Sequence, residues 1–523
     1  MEVVQKLNWL KSKGYLHFTG QIETSKRAKE LVAKVTNPSY VATYAFYPLI
    51  LTNISERKFK MVPSEESRTH CYKDENGVYV KTAKSRPLHY AANLDAMIFS
   101  YYAEHLQNKY EDHIKSFPGL PESVIAYRKI PSETEGKHKS TIHFAYEIFE
   151  EIKKRSHSDD ECMVLTFDIK SFFSSIDHNI LKNTWSELLG FARLPTDHYN
   201  VFKASTQFSY VYLDELRLYK SKQGRKVGFD EKYLAAIRNK NGINAFFESP
   251  KAFRDKIKDG TLKLSKYPFR NKSKEPIGIP QGLPISAVLA NLYLLDFDKK
   301  VLETVVNDKG GYYRRYSDDI VVVCSGNHAK EIEGFINTTL EESKVQISIN
   351  KTETFIFKKL VFGKKPARLT SVKVSNDGEK VGAPFNYLGF EFNGQKALIK
   401  SANVAKFYRR MISSVKRKAK RAKKLAERTP GKKPCIYRRQ LYKLYTSRPL
   451  HDVKVRKRWK KIIKIETGEY RLVTGVKEKD LRSNYLTYVK RASEIMNEPA
   501  IENQIRKHKT IFNQAIFRHL TKL

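Results

Sequence analysis

Two apolar runs in the chain border acidic residues. MVLTFDI (Met163–Ile169) predicts a buried strand that ends at Asp168, and IVVVC (Ile320–Cys324) predicts a second buried strand. Asp318 and Asp319 lie between this second strand and the preceding RRY, so the pattern predicts a hairpin with two adjacent carboxylates at its tip. Adjacent acids repel each other, and burial of either costs several kcal/mol unless a cation pairs with it. A divalent metal ion is the first candidate for that cation.

Helical spacing of apolar residues dominates the region before these motifs. From the start to about Leu120 the pattern predicts mostly helix, and Leu88–Leu106 places its apolar side chains on one helical face. SVIAYRKI (Ser123–Ile130) predicts a strand with a basic end, and a polar turn follows it. Ile142–Ile152 then predicts another helix.

Further elements are predicted around the acidic motifs. IDHNILKNTWSELL predicts a helix with Asp177 as its N-cap, and residues 181–275 read as a mixed stretch with inserted loops. Gly278–Asp298 predicts a Pro/Gly turn that continues into a buried helix. A helix over Lys330–Lys344, a strand pair and the strand-turn unit FNYLGFEF follow the hairpin.

The composition becomes strongly basic beyond residue 400. The last 124 residues hold 36 Lys and Arg against 9 Asp and Glu, which is +27 of the chain's net charge of +41. In Ala402–Glu427 apolar residues recur every three or four positions, and the other faces are nearly all Lys and Arg. A solvated surface helix is the alternative interpretation, but no acids are interspersed, which favours contact with phosphates. The predicted nucleic-acid contacts are Arg409, Arg410, Lys416, Arg417, Lys420, Arg421 and Lys424.

The charge of the whole chain also favours a polyanionic partner. The 523 residues are enough for about two to four domains. The 97 Lys and Arg exceed the 56 Asp and Glu, and such an excess repels itself unless a polyanion neutralises it. Anionic membranes usually attract one short basic segment, whereas here the charge runs along the chain. Nucleic acid is therefore the expected partner, with no membrane partner.

The cysteines and the apolar runs indicate which cellular compartment to expect for the protein. The four cysteines are scattered without a CxxC spacing, which disfavours a structural zinc site. Cys162 and Cys324 lie in strand-like runs and are predicted to be buried thiols, as a reducing interior allows. The first residues contain no long apolar core, and Pro and Gly interrupt the longest uncharged run, Pro276–Leu295. We expect no signal peptide, no membrane span and a soluble, cytoplasmic protein.

Carboxylates on neighbouring strands suit two-metal phosphoryl transfer. In that chemistry one of two ions, roughly 3.5–4 Å apart, activates the attacking 3′-hydroxyl and the other stabilises the leaving group. Asp168 and Asp318 fit this scheme if their strands lie side by side, and Mg²⁺ prefers such oxygen ligands. Either acid alone is weak support, because an Asp at the end of a strand is usually a turn or cap residue.

Five motifs resemble those of reverse transcriptases. YSDD (Tyr316–Asp319) resembles their Tyr-x-Asp-Asp box, and FDIKSFFSSIDH (Phe167–His178) resembles their first metal-binding motif. GIPQGLPISAVLANLYL is similar to the nucleotide-pocket motif of bacterial, non-retroviral members. INKTET (Ile349–Thr354) resembles the lysine motif, and NYLGF (Asn386–Phe390) the primer grip. The five motifs follow the order that they have in the family.

The resemblance implies an α+β fold of the right-hand polymerase type, with fingers, palm and thumb. We expect an N-terminal helical region and fingers over residues 1–160. A palm with finger insertions, at about 181–275, is expected over residues 161–398. A basic, mainly helical thumb and C-terminal extension is expected over residues 399–523.

The resemblance also implies catalytic and metal-binding roles. Asp168, Asp318 and Asp319 would be catalytic and, with the backbone carbonyl of Ile169, would bind two Mg²⁺ ions, for which Mn²⁺ is a possible substitute. Phe173 would stack under the deoxyribose and exclude a 2′-hydroxyl by steric overlap. A core role is the alternative for such a phenylalanine, and it fits the adjacent Phe172 better.

Four more residues are implied to bind the incoming dNTP. Gln281 would contact the nucleotide, and the following Gly282 would let the backbone approach it closely. Arg128 and Lys129 would clasp the triphosphate, unless they form only an exposed basic strand end. Lys351 would donate a proton to pyrophosphate or pair with Glu353, and both alternatives stay open.

The implied activity is RNA-directed DNA polymerisation. RPLHYAANLDAMIFSYYAEHL, AYRK and the long segment between the first two motifs most resemble defence-associated bacterial reverse transcriptases, including abortive-infection enzymes. That subgroup implies an antiphage role, an RNA template, a structured noncoding RNA partner, dNTP substrates and a DNA product, and a homo-oligomer is possible. Two alternatives stay open: template-independent or protein-primed DNA synthesis by the same site, and an RNA-binding scaffold whose polymerase site is dispensable.

Overall fold

The chain divides into two compact units that interleave along the sequence. In a computed structural model, the first comprises Met1–Arg128, Thr166–Val322 and Lys330–Thr352, and the second comprises Lys129–Leu165, Val323–Ala329 and Glu353–Leu523. The predicted boundaries after residues 160 and 398 do not coincide with these packing units, so the assignment of fingers, palm and thumb stays a prediction. The structure describes residues 7–24, 26–57, 60–62, 65–69, 71–74, 77–132, 138–157, 161–218, 228–242, 244–348, 352–375, 378–429, 431, 433–446, 454–464, 470–480 and 484–521.

The described part of the first unit contains more helix than strand, and several of its helices have evident sequence causes. Asn93–Lys115 buries Ile98, Tyr102 and Leu106, which recur every four residues and share one helical face. His178–Leu189 begins at the predicted N-cap Asp177, whose side chain accepts hydrogen bonds from two backbone amides of the first turn. The other helices are Ala28–Val35, Pro38–Thr43, Leu120–Ser123, Phe172–Ser175, Thr196–Thr206, Glu231–Asn241, Pro250–Lys258, Ser286–Tyr293, Leu295–Val301 and Ala329–Glu342, with a 3₁₀ turn at Leu213–Leu216 and a π-helical segment at Leu302–Asp308.

Most of the described residues between 49 and 90 form strands, so the prediction of mostly helix before Leu120 is wrong in this region. Leu49–Arg57 pairs antiparallel with Ala83–Tyr90, in a register from Ile50–Tyr90 to Arg57–Ala83, and parallel with Tyr210–Tyr212. Two small antiparallel pairs lie between them in sequence: Lys60–Val62 with Glu65–Thr69, and Cys71–Lys73 with Tyr79–Lys81. SVIAYRKI is not a strand either, because only Val124 makes an isolated parallel bridge, to Arg315.

The second unit combines an aromatic core with helices. Its larger sheet has the strand order Gly378–Val381, Arg368–Ser375, Glu353–Leu360, Cys162–Asp168, Asp319–Ser325. Of the last two strands, only residues 162–165 and 323–325 belong to the second unit. A smaller sheet has the order Phe385–Tyr387, Phe390–Phe392, Ala397–Ile399. Phe392 stacks on Phe149 of the predicted helix Thr141–Arg155 and on Phe357. The remaining helices are Ser401–Glu427, Arg439–Tyr445, Tyr485–Ile495, Ala500–Asn503 and His508–Thr521, with a 3₁₀ turn at Gly326–His328.

The C-terminal region contains a long hairpin that the sequence pattern did not predict. Lys454–Lys464 pairs antiparallel with Tyr470–Asp480, in a register from Lys454–Asp480 to Lys464–Tyr470. The extension is therefore helical with one inserted pair of eleven-residue strands. Among the described residues, no helix combines the length and the apolar character that crossing a bilayer requires.

Asp95, in the first turn of Asn93–Lys115, is a fully buried carboxyl group in the first unit. It accepts hydrogen bonds of 2.8 Å from the Tyr44 hydroxyl and from the Tyr47 amide. Burial nevertheless dominates and raises the pKa of Asp95 from 3.8 to about 7. The folded unit therefore retains a proton at this site at pH values where the unfolded chain has lost it.

Replacing Asp95 by Asn should flatten the pH dependence of stability. The stabilisation linked to protonation of Asp95 is complete below pH 3.8 and is lost as the pH rises through about 7. Relative to the Asp95→Asn variant, the wild type should lose at most about 1.4 kcal/mol of unfolding free energy per pH unit in that window. Urea unfolding at a series of pH values measures this difference.

The control for this series is Asp112→Asn on the same helix, because the Asp112 side chain is 74% exposed. This variant should follow the wild-type curve. A constant stability difference between wild type and Asp95→Asn from pH 4 to pH 8 would contradict the assignment.

Candidate active site

The backbone brings the two predicted acidic motifs together. Within the first unit, the end of Cys162–Asp168 and the start of Asp319–Ser325 are neighbouring strands, and the amide of Ile169 donates a 3.1 Å hydrogen bond to the carbonyl of Asp318. Asp168, Ile169 and Asp318 all line one cavity of about 310 Å³. Asp319 begins its strand at an exposed position and is not among the residues that line this cavity.

The chain just beyond Asp168 is held by a second short pairing. The amide of Ser348 donates to the carbonyl of Asp168 at 2.8 Å, and the amide of Lys170 donates to the carbonyl of Gln346 at 2.7 Å. The strand end is thus fixed on both sides, by the hairpin and by residues 346–348. Lys351, predicted to contact pyrophosphate, lies outside the described residues. Its proposed alternative partner, Glu353, forms an ion pair of 2.5 Å with Lys373.

The hairpin that carries Asp318 rests on a fully buried ion pair. Arg315 donates from Nε and Nη2 to the two carboxylate oxygens of Asp298, at 2.7 and 2.5 Å, and neither side chain is exposed. The Tyr313 hydroxyl donates to the same carboxylate, and Arg315 also donates to the carbonyl of Ser317 at 3.2 Å. Burial alone would lower the pKa of Arg315, but the charge and hydrogen bonds of Asp298 raise it.

The turn residue Ser317 has a left-handed backbone and a side-chain partner. Its φ is 61° and it is only 3% exposed, so its small side chain fits where a large one would meet the surroundings. The Tyr127 hydroxyl donates a 3.0 Å hydrogen bond to Ser317 Oγ. Burial and the nearby Asp318 charge raise the pKa of Tyr127, although the hydrogen bond with Ser317 lowers it. The raised pKa keeps the hydroxyl protonated, so it can donate.

The opposite wall holds the predicted nucleotide-contacting residues. In the short helix Phe172–Ser175, Phe172 is buried at 3% exposure while Phe173 is half-buried, and both border the cavity. The amide of Ile279 donates to the carbonyl of Phe173 at 2.7 Å, which fixes the Pro/Gly turn against this helix. Gln281, two residues further on, also lines the cavity.

Gly282 is required by a contact within the protein. Its φ of +110° is a conformation that residues with a Cβ rarely adopt, and an added Cβ would lie 2.4 Å from the carbonyl oxygen of His89. The amide of His89 also donates to the carbonyl of Gln281 at 2.8 Å. Gly282 therefore allows a close backbone approach to the strand Ala83–Tyr90, and its approach to a nucleotide stays a prediction.

Arg128 does not lie in this cavity. Its Nε and Nη2 donate to the carboxylate of Glu111 at 2.8 and 2.6 Å, and Nη1 donates to the carbonyls of Pro121 and Val124. The Arg128 side chain is only 5% exposed, so its guanidinium stabilises the local structure. It does not line the cavity in which the triphosphate was predicted to bind. Lys129 is exposed and belongs to the second unit.

Two cations that the sequence analysis missed line the cavity instead. Lys84 and Arg86, on the edge strand Ala83–Tyr90, line the same cavity as Asp168 and Asp318. Arg86 also lies 3.5 Å from Glu56, in a pair whose side chains are both more than a third exposed. The alternation of basic and other residues in AKSRPLHY could have indicated this strand, but the region was predicted to be helical.

The donor set of the cavity fits Mg²⁺. Within the described ranges, no group of three or more His, Cys, Asp or Glu side chains could enclose a metal ion. Asp168 and Asp318 nevertheless provide hard oxygen donors in one cavity, next to the backbone of Ile169. Mg²⁺ typically uses one or two carboxylates and completes its shell with waters and substrate phosphates. An open site with two carboxylates matches this type of coordination.

The predicted basic helix is present as Ser401–Glu427. It buries Phe407, Met411, Val415 and Ala419 and packs against His508–Thr521 in the second unit. These four residues are spaced four positions apart and form the single buried stripe that the apolar spacing predicts. All seven predicted phosphate contacts are exposed, and none of them forms an ion pair with a described residue: Arg409, Arg410, Lys416, Arg417, Lys420, Arg421 and Lys424.

A comparison with protein families supports this interpretation of the cavity. Residues 244–392 match the family model described as "Reverse transcriptase (RNA-dependent DNA polymerase)". This segment of the chain is therefore similar to a reverse transcriptase domain. The matched segment includes Gln281 and the Asp318 hairpin, whereas Asp168 precedes it. With the mixed helices and strands, the match confirms the predicted α+β fold of the right-hand polymerase class.

Solved structures with some similarity are telomerases from yeasts. One is apo telomerase from Candida tropicalis truncated from its C-terminal domain, with 12% identity, a TM-score of 0.35, and coverage of 73% of this chain and 61% of that chain. Another is telomerase from Candida albicans in complex with a TWJ fragment of telomeric RNA, with 10% identity, a TM-score of 0.37, and coverage of 95% and 66%. This chain spans less than two thirds of the length of each of these two telomerases. No curated protein sequence matches this chain.

Replacing Asp298 by Asn should strongly destabilise the first unit. The variant keeps the shape of the side chain but leaves the Arg315 charge buried without its partner, which typically costs about 3–5 kcal/mol. Asp296→Asn on the same helix is the control, because the Asp296 side chain is 62% exposed and its pair with Lys299 spans 3.6 Å. That control should lose at most about 1 kcal/mol.

Urea unfolding of the three proteins measures the two losses. The paired variant Asp298→Leu with Arg315→Met should recover much of the stability that Asp298→Asn loses, because it removes both buried charges together. Equal stability of Asp298→Asn and Asp296→Asn would contradict the assigned role of the buried pair.

Proposed function

We propose that this chain is an RNA-directed DNA polymerase that extends a primer 3′-hydroxyl with dNTPs. One observation carries the proposal: Asp168, Asp318, Phe173 and Gln281, which come from three separate sequence motifs, line a single cavity. The family match over residues 244–392 supports the same chemistry.

Asp168 and Asp318, with Asp319 and the carbonyl of Ile169, would hold two Mg²⁺ ions, or Mn²⁺ in their place. When bound, such ions lower the pKa of an attacking hydroxyl and neutralise the charge of the leaving pyrophosphate. The chain itself keeps the two carboxylates at adjacent strand ends through the hydrogen bond between Ile169 and Asp318. Preorganised donors of this kind need little rearrangement when the substrate arrives.

Other residues of the cavity would bind the nucleotide. Lys84 and Arg86 are placed to attract the triphosphate, a role that the sequence had suggested for Arg128 and Lys129. Phe173 would exclude a 2′-hydroxyl, and Gln281 would contact the sugar or base. Lys351 as a partner of pyrophosphate stays a prediction.

The exposed cations of Ser401–Glu427 would contact the phosphates of the template–product duplex. Affinity for such a duplex should fall steeply with salt, since each neutralised phosphate releases counterions. Base pairing with the template, and not side-chain contact with bases, would then determine the product sequence.

We further propose a bacterial antiphage role in which the template lies in a structured noncoding RNA. Support for this narrower proposal comes from the sequence resemblance of RPLHYAANLDAMIFSYYAEHL and AYRK to defence-associated enzymes. The cytoplasmic location and a homo-oligomeric state belong to the same set of predictions.

The proposed activity is tested by incubating the purified full chain, with its co-purifying RNA, with Mg²⁺ and dNTPs and sequencing the DNA. The product should be complementary to a region of the RNA. Asp318→Asn should reduce synthesis to background, because it removes a metal ligand, whereas Asp296→Asn, away from the cavity, should retain it. Random or homopolymeric DNA would instead favour untemplated synthesis, and protease sensitivity of the product would reveal a protein primer. Phage defence that survives Asp318→Asn would favour the scaffold alternative.

Replacing Phe173 by Ala should relax the choice of sugar. The half-buried ring borders the cavity, and its removal opens the volume that a 2′-hydroxyl needs. The ratio of kcat/KM for a dNTP to that for the matching NTP should fall about tenfold or more. Phe191→Ala is the control, because Phe191 is 55% exposed and is not among the cavity-lining residues. Unchanged discrimination in Phe173→Ala would exclude the assigned role.

A further inference from the structure

Tyr127 is held in a backbone conformation that a bulky residue rarely adopts. Its φ is 64°, in the left-handed region, which costs of order 1 kcal/mol or more for a residue other than Gly or Asn. Such strain persists only where the surroundings over-determine it, and it concentrates at functional sites.

The chain around Tyr127 is fixed by several partners in the first unit. The amide of Ile125 donates to the carbonyl of Arg315 at 3.0 Å, and the side-chain amide of Asn291 donates to the carbonyl of Ala126 at 2.9 Å. The Arg128 guanidinium, bound to Glu111 and to two carbonyls, holds the following residue. The tyrosine is therefore attached on both sides, and on one side the attachment leads directly to the strand of the hairpin.

The Tyr127 side chain reaches the turn that carries Asp318. Its hydroxyl donates to Ser317 Oγ at 3.0 Å, while its ring lines the cavity and the residue is 44% exposed. A ring this exposed contributes little to a hydrophobic core. Ser317 has a strained φ of its own, at 61°, so both ends of this hydrogen bond are left-handed residues.

We propose that Tyr127 is a positioning residue for the metal site: by holding Ser317, its hydroxyl keeps the Asp318 carboxylate in the cavity that it shares with Asp168. The proposal rests on the proposed function of that cavity as a Mg²⁺ site. Tyr127 contacts neither the metal nor the reacting atoms in this role. It acts through the hairpin turn, whose conformation decides where the carboxylate lies.

A double-mutant cycle on Mn²⁺ affinity tests the proposal without nucleotide or primer. Tyr127→Phe removes only the donor hydroxyl, and Ser317→Ala removes only the acceptor. Each should weaken Mn²⁺ binding about fivefold, the change expected for loss of one net hydrogen bond. Since both remove the same interaction, the double variant should be no weaker than either single variant. The electron paramagnetic resonance signal of free Mn²⁺ measures the affinity, and circular dichroism verifies that each variant is folded.

Tyr199→Phe is the matched control, because Tyr199 is also 44% exposed and lies in the first unit away from the cavity. It should bind Mn²⁺ as the wild type does. Wild-type affinity in Tyr127→Phe, additive losses in the double variant, or no measurable Mn²⁺ binding by the wild-type chain would each overturn the proposal. Intact coupling in a chain that makes no DNA would support the assignment of Tyr127 and overturn the proposed polymerase activity instead.

Discussion

The hydrogen bond between the amide of Ile169 and the carbonyl of Asp318 is the constraint on which the site depends. It aligns the end of one strand with the tip of a hairpin, so that two carboxylates from motifs 150 residues apart in the chain border the same cavity. Like charges in a partly dehydrated cavity repel by on the order of a few kcal/mol. Folding energy of the surrounding structure contributes to opposing this repulsion.

Contacts around the hairpin stabilise it against this repulsion. Directly behind the turn, Arg315 and Asp298 form a buried pair in which each charge is tolerable only because of the other. Ser317 in the turn and Tyr127 both have strained backbone conformations, and their side chains are hydrogen-bonded to each other. The rigidity that these contacts confer suits the proposed role of the site, in which the acids would bind ions and phosphates.

Cationic side chains are distributed to complement the acids. Lys84 and Arg86 border the same cavity as the carboxylates, and in the proposed function they would attract a triphosphate. The exposed cations of Ser401–Glu427, in the second unit, present charge to a longer polyanion. A net charge of +41 is consistent with the proposed binding of both a charged monomer and a charged polymer.

Local patterns were enough to predict much of this arrangement. The strand ending at Asp168, the N-cap Asp177 and the apolar stripe of Ser401–Glu427 all depend on residues a few positions apart. The failures involve partners distant in sequence.

Leu49–Arg57 becomes a strand by pairing with Ala83–Tyr90, and the Arg128 guanidinium is taken by Glu111, 17 positions away. The same limit hid Lys84, Arg86 and Tyr127 from the sequence analysis, because only the fold brings them to the acids. Motifs could locate the carboxylates, but not the side chains that hold them or surround them.

The most direct measurement is the anomalous scattering of Mn²⁺ in crystals of the full chain grown with a dNTP. The account predicts a peak within coordination distance of carboxylate oxygens from both Asp168 and Asp318. A peak bound by other residues alone, or no peak in this cavity when Mn²⁺ is saturating, would contradict it.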